Sequence, residues 1–334
     1  MLLETKAASA VVERLFARSG AAIDALAQVL IDANVRAAVT VARGSSDHAA
    51  SHLNYLLTSR MGLLVTSLPP SVITLHDAPI NGEGLAALSF SQSGQSPDLV
   101  QTMAALAARG AVTAVFVNDT NSPLARAAHH VIDLQAGTEQ SVAATKSFIA
   151  ELAVGLRLYA SWANDGDLRA ALPSLPETLA VAAESDWSAA IEALRYSDRL
   201  FVIGRGASLA IAAEMALKFK EVCGIQAEAF SAAELRHGPM ALIEAGYPVL
   251  VLAPRGPGQA ELLALAEDLR GRDVCVLLAA ASGDAELPVV SAAHDGLDNV
   301  SIVQSFYPMV EALARARGYD PDRPQHLNKV TKTT

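Results

Sequence analysis

The sequence predicts an α/β protein made of two similar doubly wound subdomains, each built on a parallel sheet. Three observations carry this. Apolar strand-like runs alternate with helical runs along most of the 334 residues, the pattern of an open parallel sheet covered on both faces. Several strand-like runs end in short Gly/Ser loops that lead directly into helices. Landmarks also recur at one offset: Arg43-Gly44-Ser45-Ser46 is matched by Arg205-Gly206-Ala207-Ser208 162 positions later, and Gly94 by Gly256 at the same 162. Two landmarks sharing an offset indicate an internal duplication.

Taken in order, residues 1–34 read as N-terminal helices. The first subdomain, 35–163, has strands at Val35–Ala42, Gly62–Ser67, Leu85–Phe90, Val112–Val117 and His130–Leu134. Helices are expected over Asp47–Arg60, Asp98–Arg109 and Thr145–Trp162. A helical, Pro-containing connector covers 164–196. The second subdomain, 197–318, starts with a strand at Leu200–Ile203 and a helix at Leu209–Cys223, and Tyr247–Ala253 is its next strong strand. Residues 319–334 form a tail whose Asp320-Pro321-Asp322-Arg323-Pro324 run is stiff and turn-prone.

Composition narrows the function. The net charge is −10 with no basic block, which argues against non-specific nucleic-acid binding and against an anionic membrane surface. No apolar run reaches membrane-spanning length without a charge, and Glu4, Lys6, Glu13 and Arg14 break up the N-terminus, so no signal peptide is expected. The two cysteines, Cys223 and Cys275, lie far apart in apolar surroundings, which fits a reducing, cytoplasmic setting. His48 and His52 have a helical ligand spacing, but no neighbouring acid completes a zinc pattern. His129-His130 reads as ordinary surface or strand-edge histidine. No metal or other cofactor is expected.

The stretch Leu85–Asp98 is the richest. Its strand ends in Ser91-Gln92-Ser93-Gly94-Gln95-Ser96 and a helix follows at once. Backbone N–H groups, hydroxyls and the helix dipole then converge on one small volume, a cradle for a phosphate. The loop has no lysine, which suits a phosphorylated metabolite. Ser91-Gln92-Ser93-Gly94 corresponds to Ala253-Pro254-Arg255-Gly256 in the second half. The hydroxyls are missing there, so the phosphate site belongs to the first half. Elsewhere, Glu214, Lys218 and Glu221 share one face of a rather apolar helix while Lys220 points away, and a carboxylate enclosed beside a lysine can act as a general base. His237 stands at a Gly-Pro turn, where its titration range makes it a candidate acid/base. Lys329 lies in the stiff tail, and a lysine there can meet a sugar carbonyl.

Together these runs resemble the sugar-isomerase (SIS) domain family, above all the isomerase half of the glucosamine-6-phosphate synthases and their deaminase relatives. The likeness rests on Arg43–Ser46, Ser91–Gly94, Ala136–Glu139 with Val142–Lys146, Ala216–Glu221, Ala227–Phe230, Glu234–Pro239 and Asp320–Lys329. The resemblance implies tandem SIS domains and an enzyme. It implies that Ser46, Ser91, Gln92, Ser93 and Ser96 hold a 6-phosphate, and that Ser45 and the Val142 backbone touch sugar hydroxyls. His237 would open the ring from a neighbouring subunit of a homodimer with shared active sites. Glu221 would move the proton between C1 and C2 with Lys218 beside it, and Lys329 would meet the open-chain carbonyl. Arg43 stands where the synthase-like pattern has Cys and Ala144 where it has Ser; Gln325-His326 and Asn328 also depart from it. The chain begins Met1-Leu2-Leu3, without the nucleophilic Cys of a glutaminase domain. The expectation is therefore deamination of an amino-sugar 6-phosphate, glucosamine 6-phosphate giving fructose 6-phosphate and ammonia. Ammonia-dependent synthesis, another phosphosugar isomerase or deglycase, and a non-catalytic sugar-phosphate sensor are the alternatives.

Overall fold

The computed structural model describes residues 1–281 and 284–329; residues 330–334 of the expected tail lie outside them. The chain divides into two compact units. The first comprises Ala10–Glu139, Lys146–Pro173 and the chain from Asn328; the second comprises Met1–Ser9, Gln140–Thr145 and Ser174–Leu327.

The first unit carries strands β1 (Ala37–Val41), β2 (Leu64–Ser67), β3 (Leu85–Ser91), β4 (Val112–Val117) and β5 (His130–Asp133) in the parallel order β2-β1-β3-β4-β5. The chain leaves β1 toward β2, then returns to the other side of β1 as β3, so the order reverses between β1 and β3. Open α/β sheets bind ligands at such a switch point, beyond the carboxyl ends of the strands. Every residue of β3 is buried, which is why this strand reads as a continuous apolar run instead of an alternating one. Val39, Val41, Ala87, Val115 and Val117 pack with Leu99, Met103 and Leu106 of the helix Pro97–Ala108. That packing fixes the helix start directly after the serine loop. Ser96 takes the N-cap position and Pro97 the first helical position, where a missing N–H costs nothing. The helix Ser45–Met61 begins two residues earlier than expected, after Gly44 at φ 55°, so Ser45 and Ser46 lie in its first turn.

The second unit carries β6 (Arg199–Gly204), β7 (Gln226–Ser231), β8 (Pro248–Ala253), β9 (Cys275–Ala280) and β10 (Leu287–Pro288) in the order β10-β9-β8-β6-β7. Read from its other end, this is the order of the first sheet, so the duplication seen in the offset extends to topology. The switch point lies between β6 and β8. Strands β7, β9 and β10 are not among those the sequence predicts. Edge strand β7 mixes polar and apolar residues, β9 is an Ala/Leu run that suits either structure, and β10 has two residues. The stretch 164–196 is helical, with segments Gly166–Ala171, Leu175–Ala182 and Ser188–Leu194. Among the described residues no helix is long and apolar enough to cross a membrane.

Candidate active site

In the first unit the serine loop is folded by its own hydroxyls. Ser91 Oγ accepts the Gly94 N–H at 3.0 Å and Ser93 Oγ accepts the Gln95 N–H at 3.3 Å. A hydroxyl that accepts internally still has its proton to donate outward, which is what an anion needs. Gly94 is at φ +62°, and a Cβ there would collide with Ser122 Oγ, so the turn requires glycine. The loop is pinned to the neighbouring segment by Asn118 N–H to Gln92 O at 3.3 Å and Leu124 N–H to Gly94 O at 3.2 Å. Ser96 makes no side-chain cap bond; the Leu99 N–H is taken instead by Asp98 Oδ1 at 2.8 Å.

The loop after β1 adds Ser45 and Ser46. Ser46 Oγ donates to Glu151 Oε1 at 2.8 Å, and Glu151, on the helix Lys146–Trp162, is 1% exposed. The Ser46 proton is therefore committed to a carboxylate here, and binding a phosphate requires that hydroxyl to turn. Arg43 bonds Asp98 Oδ2 through Nη2 at 2.8 Å and Nε at 3.1 Å. Gln92, Thr138 and Glu139 belong to the lining of an open cleft of ≈ 620 Å³. Glu139 is buried, accepts the Ser147 hydroxyl at 2.5 Å, and pairs with Lys329 Nζ at 3.4 Å. The tail lysine thus has a fixed carboxylate partner within this unit.

In the second unit Glu214, Lys218 and Glu221 meet on the helix Ser208–Cys223, as their spacing predicts. Lys218 Nζ lies 2.6 Å from Glu221 Oε2 and 3.4 Å from Glu214 Oε1. Glu214 and Lys218 are buried, while the Glu221 side chain keeps 21% of its exposure. Tyr307, on the helix Asp298–Ala316, donates to Glu214 Oε1 at 3.2 Å. Burial alone would pull the Lys218 ammonium down, but the two carboxylates outweigh it, and the group stands above its ordinary value. A full ammonium therefore fixes Glu221, the outermost carboxylate of the set, in place. Lys220 turns away and donates to Ala227 O at 3.0 Å. His237 is exposed, just before Gly238 at φ 139°, and its ring makes no hydrogen bond among the described residues. Val142 is half-buried in a segment without regular structure.

Sequence reasoning missed Glu151, Asp98 and Tyr307 as parts of these sites. Glu151 had a signal, a lone acid inside the apolar run Phe148–Leu156. Asp98 reads as an ordinary first-turn acid, and Tyr307 as core. Among the described residues no group of three or more His, Cys, Asp or Glu is placed to hold a metal. His52 is fully buried and desolvation lowers it to about 4, so it is neutral near pH 7.

A hydroxyl-lined switch-point loop and an ammonium-fixed carboxylate stand on duplicated doubly wound sheets, and the similarities to known proteins support an enzyme of the phosphosugar isomerase family. The chain belongs to the SIS domain family, whose model matches residues 30–161 and 193–290. It is 34% identical over 304 residues to the isomerizing glutamine–fructose-6-phosphate aminotransferase of Methanothermobacter thermautotrophicus, covering 86% of this chain and 50% of that protein. The Aeropyrum pernix enzyme of the same name is 32% identical over 312 residues, covering 87% and 50%. The chain thus spans about half the length of these relatives. A crystal structure assigned to the phosphosugar isomerases, from Silicibacter pomeroyi, matches with TM-score 0.91 and 41% identity over 96% of this chain and 99% of that one. A glucosamine-6-phosphate deaminase from Thermotoga maritima shares the fold at TM-score 0.78 and 21% identity, covering 99% of both chains.

Proposed function

We propose that the protein is an amino-sugar 6-phosphate deaminase/isomerase that converts glucosamine 6-phosphate to fructose 6-phosphate and ammonia. The observation that carries this is Glu221, a partly open carboxylate held 2.6 Å from a buried ammonium. Such a group can take and return a proton without moving. The serine loop holds the 6-phosphate. His237, contributed by a neighbouring subunit of a homodimer, opens the ring to the C1 aldehyde. Glu221 then removes the C2 proton to give the 1,2-enolamine and returns a proton to C1. The product is the C2 imine, which water hydrolyses to the ketose and ammonia. Lys329 leaves Glu139 to meet the open-chain oxygen at C1.

The test is ammonia release across 6-phosphorylated hexosamines, paired with exchange of the C2 hydrogen into solvent. Ammonia from glucosamine 6-phosphate with fructose 6-phosphate as co-product is the expected result. The identity to aminotransferases favours a second reading, ammonia-dependent synthesis of glucosamine 6-phosphate by the same proton transfer in reverse. Net formation of amino sugar from fructose 6-phosphate and ammonium at physiological concentrations would select it. Isomerisation without ammonia would indicate a different phosphosugar isomerase. Tight sugar-phosphate binding without any C2 exchange would indicate a sensor. If His237 serves a neighbouring subunit, mixing inactive His237→Ala and Glu221→Gln chains restores activity after subunit exchange.

A further inference from the structure

The serine loop contains no cation between Ser91 and Ser96, in a chain of net charge −10. Within the loop itself only dipoles and hydroxyls can hold a phosphate dianion against that field, and of the arginines lining the cleft beside Gln92, Arg14 is spent on Gln135 O. A cation nevertheless stands beside the loop. Strand β1 runs in register with β3, Val41 opposite Ser89, and Arg43 follows two residues after β1 ends. Its guanidinium reaches Asp98, the second residue of the helix that the serine loop opens, at 2.8 and 3.1 Å.

The state of this ion pair matters. Asp98 is 2% exposed, whereas the Arg43 side chain is 50% exposed. Both bonded nitrogens of Arg43, Nε and Nη2, go to one oxygen, Asp98 Oδ2, while Oδ1 is held by the Leu99 N–H. Asp98 therefore sits in the first turn of a helix, where the positive end of the dipole already balances part of its charge. The carboxylate fixes the guanidinium without cancelling it, and the five-donor fork has N–H groups left to offer. Arginine in such a setting suits a phosphate, whose oxygens match its geometry.

We propose that Arg43 is the cation of the phosphate site, positioned by Asp98, and that it binds the phosphate of the substrate directly. This rests on the reading of the serine loop as the phosphate cradle. Arg43 is also where the sequence departs from the synthase-like Cys, so the residue distinguishes this cradle from one that works by hydroxyls and dipoles alone. The second half supplies an internal control. Arg205 stands 162 positions later and pairs with Glu261 at 2.9 Å, but beside a loop without hydroxyls. There the pair has no anion to serve.

The experiment measures dissociation constants of inorganic phosphate and of fructose 6-phosphate by calorimetry, with the full chain. The variants are Arg43→Ala, Arg43→Lys, Ser91→Ala/Ser93→Ala and Arg205→Ala. Arg43→Ala is expected to weaken both ligands about 10–100-fold, the range for losing a charge-assisted contact. Arg43→Lys recovers part of that loss, and Arg205→Ala binds like the wild type. Should Arg43→Ala fail to fold because the buried Asp98 loses its guanidinium, Arg43→Ala/Asp98→Asn removes the carboxylate charge and is expected to show the same loss. Wild-type affinity in Arg43→Ala or in Arg43→Ala/Asp98→Asn, with loss in the serine variant, overturns the role of Arg43 and leaves the cradle standing. Wild-type affinity in the Arg43 and serine variants alike overturns the cradle itself. Equal losses in Arg43→Ala and Arg205→Ala also overturn the proposal, since the effect then belongs to no particular loop.

Discussion

The loop after β3 and the loop after β8 follow equivalent strands in two sheets of the same order, and they are finished differently. In the first, Ser91 and Ser93 turn their lone pairs inward onto Gly94 and Gln95 N–H groups, which keeps their protons for a ligand. In the second, Arg255 takes the position of Ser93, and its guanidinium closes on Asp298, at 2.7 Å from both carboxylate oxygens, and on Ala292 O at 2.6 Å. One crevice is left with donors to spare, and the other is filled by its own ion pair. The helices behind the two crevices differ in the same manner. His52 and Glu214 lie at the duplicated offset and both are buried, but His52 is neutral, whereas Glu214 shares an ammonium with Glu221. A common topology therefore sets where groups can be placed, and in the proposed function the side chains decide which half grips the phosphate and which holds the base.

The largest expected effect separates the two helices. Glu221→Gln keeps the shape of the side chain but cannot accept the C2 proton, so kcat falls about 10²–10⁴-fold. Ser59, 162 positions earlier, is exposed on the equivalent helix, and Ser59→Ala leaves kcat within twofold. Steady-state ammonia release checks both. Comparable losses in the two variants would erase the distinction between the halves.

Next comes the filled crevice. Arg255→Ala strands Asp298, whose side chain is 1% exposed, and costs about 3 kcal/mol, the low end for breaking a buried pair because the arginine is partly solvated. Urea unfolding measures this. Phosphate affinity in the folded variant stays at the wild-type value. A stability change below 1 kcal/mol would mean that Arg255 is spare, and the second crevice open.

The smallest effect concerns His52 and is read in acid. Its folded value of about 4 lies below the unfolded 6.5, so the unfolded state binds more protons between those two pH values. Stability from His52 is thus present above pH 6.5 and is lost as the pH falls toward 4, by up to about 3 kcal/mol. His52→Gln flattens the slope in that window, while the matching place on the second helix is held by Glu214, which brings no histidine to it. An unchanged slope in His52→Gln would remove burial of this imidazole as its cause.

Much of this was legible in the sequence because it is local or periodic. The serine loop sits between an apolar strand and a helix, Lys218 and Glu221 are three apart, and the duplication repeats at one offset. What was hidden joins residues far apart in the chain. Asp98 meets Arg43 across 55 positions, Glu151 meets Ser46 across 105, Tyr307 meets Glu214 across 93, and Lys329 meets Glu139 across 190. No spacing rule reports such pairs, because the fold and not the helix period brings them together. Strand β7 was obscure for a related reason: as an edge strand it has one flank unpaired, and its Gln226, Glu228 and Ser231 dilute the apolar pattern.

The most direct measurement is a calorimetric titration of the full chain with fructose 6-phosphate. One equivalent is expected to bind per chain. Binding is expected to be at least about 100-fold weaker in Ser91→Ala/Ser93→Ala, since two charge-assisted hydrogen bonds of roughly 1.5–3 kcal/mol each are lost, and unchanged in Arg205→Ala. Two equivalents per chain, or wild-type affinity in the double serine variant, would contradict the division of labour between the two crevices.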